Sequence, residues 1–225
     1  MERIVKKKSY HYQVYEIIKN QIISGKIKSG EKINENGIAQ SLGVSRSPVR
    51  EAMRMLERDE LLVAVPGGLI VNPLDIDTIM EIYECRMLLE SYAARESVRA
   101  MSDEDIRQLE EYVHSSMEYH KNYDFASVVE VNTKFHNMIT GCCRNKHLCS
   151  MMDRNGMLSL LSRVQEFSCY KRDHRYLEEH LAIVEALKQR NEDLVEVRMR
   201  EHIENDRKFY IEMYEKSNLQ SAASL

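Results

Sequence analysis

The 225-residue chain contains no run of about eighteen apolar residues and no apolar stretch near its N-terminus, so neither a membrane-spanning helix nor an export signal is expected, and the expected location is cytoplasmic. Proline is scarce: Pro48, Pro66 and Pro73 are the only three. Beyond Pro73 the only glycines are Gly141 and Gly156, which excludes a turn-rich architecture there and predicts helix throughout. The cysteines, Cys85, Cys142, Cys143, Cys149 and Cys169, are odd in number and lack metal-ligand spacing, so reduced thiols are the expectation. The neighbouring Cys142 and Cys143 read first as packing, with oxidant or soft-metal sensing as the alternative. No H-E-x-x-H run is present, so that route to a zinc hydrolase is closed.

Charge, by contrast, is plentiful and uneven. Residues 1–74 hold 12 Lys and Arg against 8 Asp and Glu, a net of +4, leaving 20 against 28, a net of −8, for residues 75–225. Such a split fits a chain in which only the first part approaches nucleic acid. Within that part, GVSRSPVREAMRMLE (43–57) predicts a helix. Gly43 can take the positive φ of a tight turn, Ser45 or Ser47 can cap, and Pro48 is tolerated in a first turn. Val49, Ala52, Met53 and Leu56 then form one apolar stripe. Arg46, Arg50 and Arg54 recur every fourth residue on a separate face, where mutual repulsion calls for a polyanion. A solvated charged face is the plainer reading of the row by itself.

The surroundings decide for DNA. Val14, Ile17, Ile18 and Ile22 mark a first helix over about residues 10–24. Asn34 caps a short second helix with Ile38, Ala39 and Leu42 on its buried face, ended by Gly43, giving a helix-turn-helix. Leu61–Val65 and Leu69–Val71 are β-prone and flank Pro66-Gly67-Gly68, a hairpin turn. Three helices and a hairpin make a winged helix, ending where Pro73 stops the second strand.

The run SGKIKSGEKINENGIAQSLGVSRSPVREAMRMLERDELL resembles the N-terminal domain of the GntR family of bacterial transcription regulators. The resemblance implies DNA contacts from Ser45, Arg46, Ser47, Arg50 and Arg54, with a backbone contact from Gly68 at the wing tip. Arginine suits the task because its planar fork grips phosphate or the edge of guanine bidentately. Three positions depart from the family pattern: Asn36 stands where an arginine is usual, Glu60 where glycine is usual, and the tip Pro66-Gly67-Gly68 is short and uncharged. Few ionic contacts from the wing are therefore expected, with Lys6, Lys7 and Lys8 as an additional basic arm.

Residues 75–225 predict an all-α antiparallel bundle, with helices over about 75–101, 102–120, 124–142, 145–167, 173–190 and 191–216, and fraying from Ser217 onwards. NTKFH (132–136), EEHLAIVEALKQRN (178–191) and MREHI (199–203) resemble the FCD effector domain of the FadR-type branch of the same family. The resemblance implies a divalent metal, zinc or nickel foremost, held by Asn132, His136, His180 and His202. Spacing agrees for the first pair, since residues four apart share one helix face. His11, His114, His120, His147 and His174 read as ordinary histidines. Arg86, in ECRMLLE (84–90), matches a family arginine and is the candidate clamp for a small carboxylate effector; its plainer reading is a surface arginine paired with Glu90. The expectation is thus a ligand-responsive, homodimeric DNA-binding regulator, a repressor, acting on double-stranded operator DNA. Two alternatives remain: a metal-free pocket for a fatty-acyl-like effector, and a metal-dependent hydrolase using Glu179 or Glu201 as base.

Overall fold

The computed structural model describes residues 9–222, in which nine α-helices, one π-helical segment and one hairpin are found. The chain divides into two compact units between Pro73 and Leu74. None of the described helices is long and apolar enough to cross a membrane.

The first unit contains α1 (Tyr10–Ile23), α2 (Glu35–Leu42), α3 (Arg46–Arg58), β1 (Leu62–Val65) and β2 (Gly68–Val71). Val14, Tyr15, Ile18 and Ile22 bury one face of α1 against α3, whose own buried residues are Val49, Ala52, Met53 and Leu56. Full burial of side chains such as Val49, Met53 and Leu56 is worth roughly 1.5–3 kcal/mol each. The Tyr15 hydroxyl donates to Asp59 at 2.6 Å, pinning α1 to the end of α3. α2 starts at Asn34, whose side chain accepts from the Gly37 N–H, and stops at Gly43, which takes a left-handed φ of 64°. β1 and β2 pair antiparallel with Val65 opposite Gly68, so the turn is Pro66-Gly67 and the second strand begins one residue before its expected start.

The second unit is α4 (Ile76–Ser97), α5 (Asp103–Lys121), α6 (Phe125–Gly141), α7 (Lys146–Val164), a π-helical segment (Gln165–Cys169), α8 (Arg175–Lys188) and α9 (Glu192–Ala222). Side-chain caps begin α4 to α7: Asp75, Ser102 with Asp105 in a reciprocal capping box, Asp124 and Asn145. The Asn191 side chain does the same ahead of α9 by accepting from the Leu194 N–H. α4 packs on α9 and α7, α5 on α6 and α8, and α8 on α9. Two expectations are corrected. The fourth helix of the bundle does not stay α-helical to Phe167 but widens into the π segment. The last helix continues to Ala222 rather than fraying from Ser217, while residues 223–225 lie outside the described residues.

Candidate functional site

The outer face of α3 carries Arg46, Arg50 and Arg54, all exposed, with Ser45 and Ser47 exposed at its start. Ser45 is the N-cap, yet its hydroxyl makes no capping bond, contrary to expectation. The reason is local: the third helical residue is Pro48, which lacks the N–H such a cap would use. The first turn therefore keeps free donors at the positive end of the helix dipole, an arrangement that favours phosphate. Arg50 Nε lies 3.9 Å from Glu35 Oε2, both side chains being exposed. A pair of that kind is worth at most about 1 kcal/mol and yields easily to a phosphate.

The wing holds a feature that its own sequence does not reveal. Residues 30–33 run beside β2, with Gly30 N–H donating to Val71 O at 3.0 Å, Val71 N–H to Glu31 O at 2.9 Å and Ile33 N–H to Leu69 O at 2.9 Å. Lys32 thereby bridges Ile70, and its Nζ comes within 3.4 Å of where a Cβ on Gly67 would stand. The tip, expected to lack charge, has an ammonium folded over it from before α2. Gly68 is exposed, with a φ of 142°. Lys6, Lys7 and Lys8 lie outside the described residues.

In the helical unit the three motif histidines converge. His136 sits on α6, His180 on α8 and His202 on α9, each on its helix's buried stripe and at most 2% exposed. His202 Nε2 is 3.2 Å from His180 Nε2 and 3.3 Å from His136 Nε2. Neutral imidazoles have one N–H each, so three rings pointing the same nitrogen at one spot cannot all be satisfied by one another. Behind them, Glu90 Oε2 lies 3.0 Å from His136 Nδ1 and Glu179 Oε2 lies 2.7 Å from His202 Nδ1. Carboxylates there fix the tautomer that leaves Nε2 as a lone-pair donor, the arrangement that metal-ligating histidines use. Phe135 stacks on the His180 ring at 4.1 Å between centroids. Burial, helped by Arg163, brings His136 down to about 3, and burial with His202 beside it holds His180 well below the usual imidazole range, so both rings are neutral. Asn132 is buried on the same face of α6, with its Oδ1 unpartnered. The donor set fits a divalent ion: three imidazole nitrogens and an unpartnered amide oxygen, with the Asp206 carboxylate 3.4 Å from His202 Nε2.

Arg86 is not a surface residue, as its plainer reading required; it is 2% exposed. Its Nε donates to Glu90 at 2.8 Å, while Nη2 stands 3.7 Å from Asp206. Burial pushes the Glu90 carboxyl up, but Arg86, His136 and Arg163 outweigh it and hold the group well below the usual carboxylate range. A cavity of about 420 Å³ between α4, α6 and α7 is lined by Arg86, Glu90, His136 and Arg163, a volume within the ordinary range for a small-molecule site. Burial and the neighbouring Arg86 lower Arg163 to about 10. Sequence reasoning named Glu90 as a partner of Arg86, which the structure shows, and Glu179 as a candidate base, but neither as a carboxylate behind a histidine, and it did not name Arg163. The first two carried a signal, acids one residue or one turn from a motif position, but Arg163 carried none. Of the two acids considered as hydrolytic bases, Glu179 is taken up by His202, and Glu201 pairs with Arg198 at 2.8 Å on an exposed face.

The remaining histidines behave as ordinary ones. His114, His147 and His174 are exposed, His11 meets Glu51 at 3.1 Å, and His120 Nε2 lies 2.9 Å from the Arg172 carbonyl. Cys143 is buried with Ala93 and Leu148, which matches its packing role.

Residues 11–70 match the model for bacterial regulatory proteins of the gntR family, and residues 81–205, more than half the chain, match the FCD domain. The chain belongs to the GntR family. It is a DNA-binding transcription regulator rather than an enzyme. This GntR regulator is 32% identical over 199 residues to the uncharacterized HTH-type transcriptional regulator YdhC of Bacillus subtilis, covering 88% of this chain and 89% of that protein. It is 30% identical over 188 residues to the gluconate operon transcriptional repressor of Bacillus licheniformis, covering 79% and 75%. Its fold matches that of McbR/YncC of E. coli with a TM-score of 0.80 at 21% identity, covering 92% of this chain and all of that one.

Proposed function

We propose that this GntR regulator is a cytoplasmic homodimeric repressor whose FCD domain binds a divalent ion, zinc or nickel, through Asn132, His136, His180 and His202, and couples a small carboxylate to operator affinity. The observation that carries the reading is the convergence of three Nε2 atoms, two of their rings backed by Glu90 and Glu179. When bound, the ion supplies a Lewis-acidic position for the effector's carboxylate. Arg86, its fork half engaged by Glu90, holds the acid in place, and α4, α6, α8 and α9 adjust around it. The metal-free pocket for a fatty-acyl-like effector has less support, because it leaves buried ring nitrogens facing one another.

On the DNA side, Arg46, Arg50 and Arg54 with Ser45 and Ser47 face the major groove, and Gly68 with the tip approaches the backbone. Two copies related by a two-fold axis read two half-sites. The relatives named for gluconate operons make gluconate the first effector to try.

The test uses chelator-treated full-length protein re-equilibrated with zinc or nickel, followed by gel shifts on the DNA upstream of its own gene. The expected outcome is one metal per chain and an effector-dependent change in operator affinity of about 5- to 150-fold, the usual range of allosteric coupling. Protein that retains neither metal sinks the metal-assisted reading. Lys32→Ala is expected to weaken operator and random DNA alike and to reduce the slope of log affinity against log salt by about 1, the signature of one lost phosphate contact. An unchanged slope would remove Lys32 from the interface.

A further inference from the structure

His202 Nε2 has more neighbours than one hydrogen can serve. His180 Nε2 lies 3.2 Å from it, His136 Nε2 3.3 Å and Asp206 Oδ2 3.4 Å. On its other side the ring turns Nδ1 to Glu179 at 2.7 Å, and a carboxylate only accepts, so the hydrogen of the neutral ring belongs on Nδ1. The lone pair left on Nε2 then faces the carboxylate of Asp206. It also faces a second lone pair, because Glu90 holds the His136 hydrogen on that ring's Nδ1. A second proton on His202 would answer one of these neighbours and leave the others. All four residues are at most 4% exposed. Electron-rich atoms gathered so closely away from solvent are costly unless a cation lies among them.

Asp206 is built into that cluster. HIEND (202–206) sets His202 and Asp206 four residues apart on α9, one turn along the same face, the spacing that also links Asn132 to His136 on α6. Arg172 Nη2 stands 2.7 Å from Asp206 Oδ1, which leaves Oδ2 as the oxygen towards His202, with Arg86 Nη2 at 3.7 Å. Arg172 does not neutralise its surroundings by itself, since its fork also has Glu166 and Glu179 at 3.7 Å. Spacing agrees as well. Bonds of about 2.0–2.1 Å set the donors of a tetrahedral zinc ion about 3.3–3.4 Å apart, close to the 3.2, 3.3 and 3.4 Å found around His202 Nε2. We propose that Asp206 is the anionic ligand of the divalent ion, joining His136, His180 and His202, and that Arg172 positions it. The assignment rests on the reading of this domain as metal-binding. The negative charge that Asn132 lacks comes from the last helix of the bundle, and Asn132 becomes the weaker of two oxygen donors.

The test uses full-length protein stripped with a chelator and loaded with zinc or cobalt(II). Zinc affinity, read by competition with a chromogenic chelator, is expected to fall in Asp206→Asn by more than the roughly 10- to 100-fold lost with a group that only supports a ligand. It should fall less in Asn132→Ala. Arg172→Gln, which keeps the carboxylate and loosens its orientation, should lose about 10- to 100-fold. A structural role for Asp206 would move these affinities too, so a spectroscopic readout decides. Cobalt-loaded Asp206→Cys should show thiolate-to-cobalt charge-transfer absorption, which the parent, with no cysteine in its histidine cluster, should lack. A crystal structure of the zinc-loaded parent keeps the test independent of how any variant folds, and an Asp206 oxygen is expected about 2.0–2.2 Å from the ion. An ion held by the histidines and Asn132 with Asp206 out of reach overturns the assignment. So do parental zinc affinity in Asp206→Asn and a cobalt-loaded Asp206→Cys without the thiolate band. A parent that takes up neither ion overturns the metal reading itself, and the role of Asp206 with it.

Discussion

Replacing Arg50 with alanine is expected to weaken operator binding by roughly 10- to 100-fold, the effect of losing one bidentate base contact. The side chain is exposed and its ion pair among the described residues, to Glu35, is loose at 3.9 Å, so folding gives it little reason to be there. Stability should accordingly move by no more than about 0.5 kcal/mol, as for surface substitutions elsewhere. Fluorescence anisotropy on operator and scrambled DNA at one salt concentration separates the roles. A loss confined to the operator marks Arg50 as a base reader, and an equal loss on both marks a phosphate contact. No loss on either removes α3 from the interface. Arg46, one turn earlier on the same exposed face, is the control expected to behave in parallel.

His202→Ala should abolish metal-linked stability. Zinc at about a hundred times its Kd stabilises a folded protein by about 2.7 kcal/mol, which for a domain of this size raises the melting midpoint by roughly 5–10 °C. The variant should show no such rise. It also removes the partner of Glu179 at 2.7 Å and a neighbour of Asp206 at 3.4 Å, so its metal-free form should melt below the parent's. Glu179→Gln guards against a variant that does not fold. It keeps the ring and the cavity but weakens the hold on His202 Nδ1, and zinc affinity should drop about 10- to 100-fold. Calorimetric melting with and without zinc reads both, and an undiminished zinc response in His202→Ala would remove that histidine from the centre.

The two halves of the regulator are legible in the sequence to different degrees, for physical reasons. Val49, Ala52, Met53 and Leu56 can be read as the buried stripe of α3 because helical periodicity is a local property, and the caps Asn34, Ser102, Asn145 and Asn191 are local too. A local rule also explains the exception: the Ser45 cap fails because Pro48 occupies the donor position, a detail of three residues that the cap motif alone does not test. Contact across helices is the part that cannot be read. Glu179 adjoins His180 in sequence and points away from it, yet reaches His202 on α9. Arg163 has the composition of a surface residue, and only the packing of α7 on α4 turns it into a cavity wall. Lys32 reaches the wing tip through a strand-like pairing that a loop makes with β2, and such pairing has no periodic signature over so few residues.

The π-helical segment between α7 and α8 gives this architecture an unequal tolerance to length. The Tyr170 N–H reaches back to Gln165 O at 3.0 Å, five residues away, so the turn holds one residue more than an α-helix would. Deleting any one of residues 165–169 would let the helix close into regular α geometry and rotate the chain beyond the segment by about 100° relative to α7. Arg163 and Arg172, on opposite sides of the segment, could then no longer face Glu90 and Asp206 together. Chain length at that turn is therefore a harder constraint on the site than the identity of most side chains around it, and single-residue deletions there should be far more damaging than substitutions.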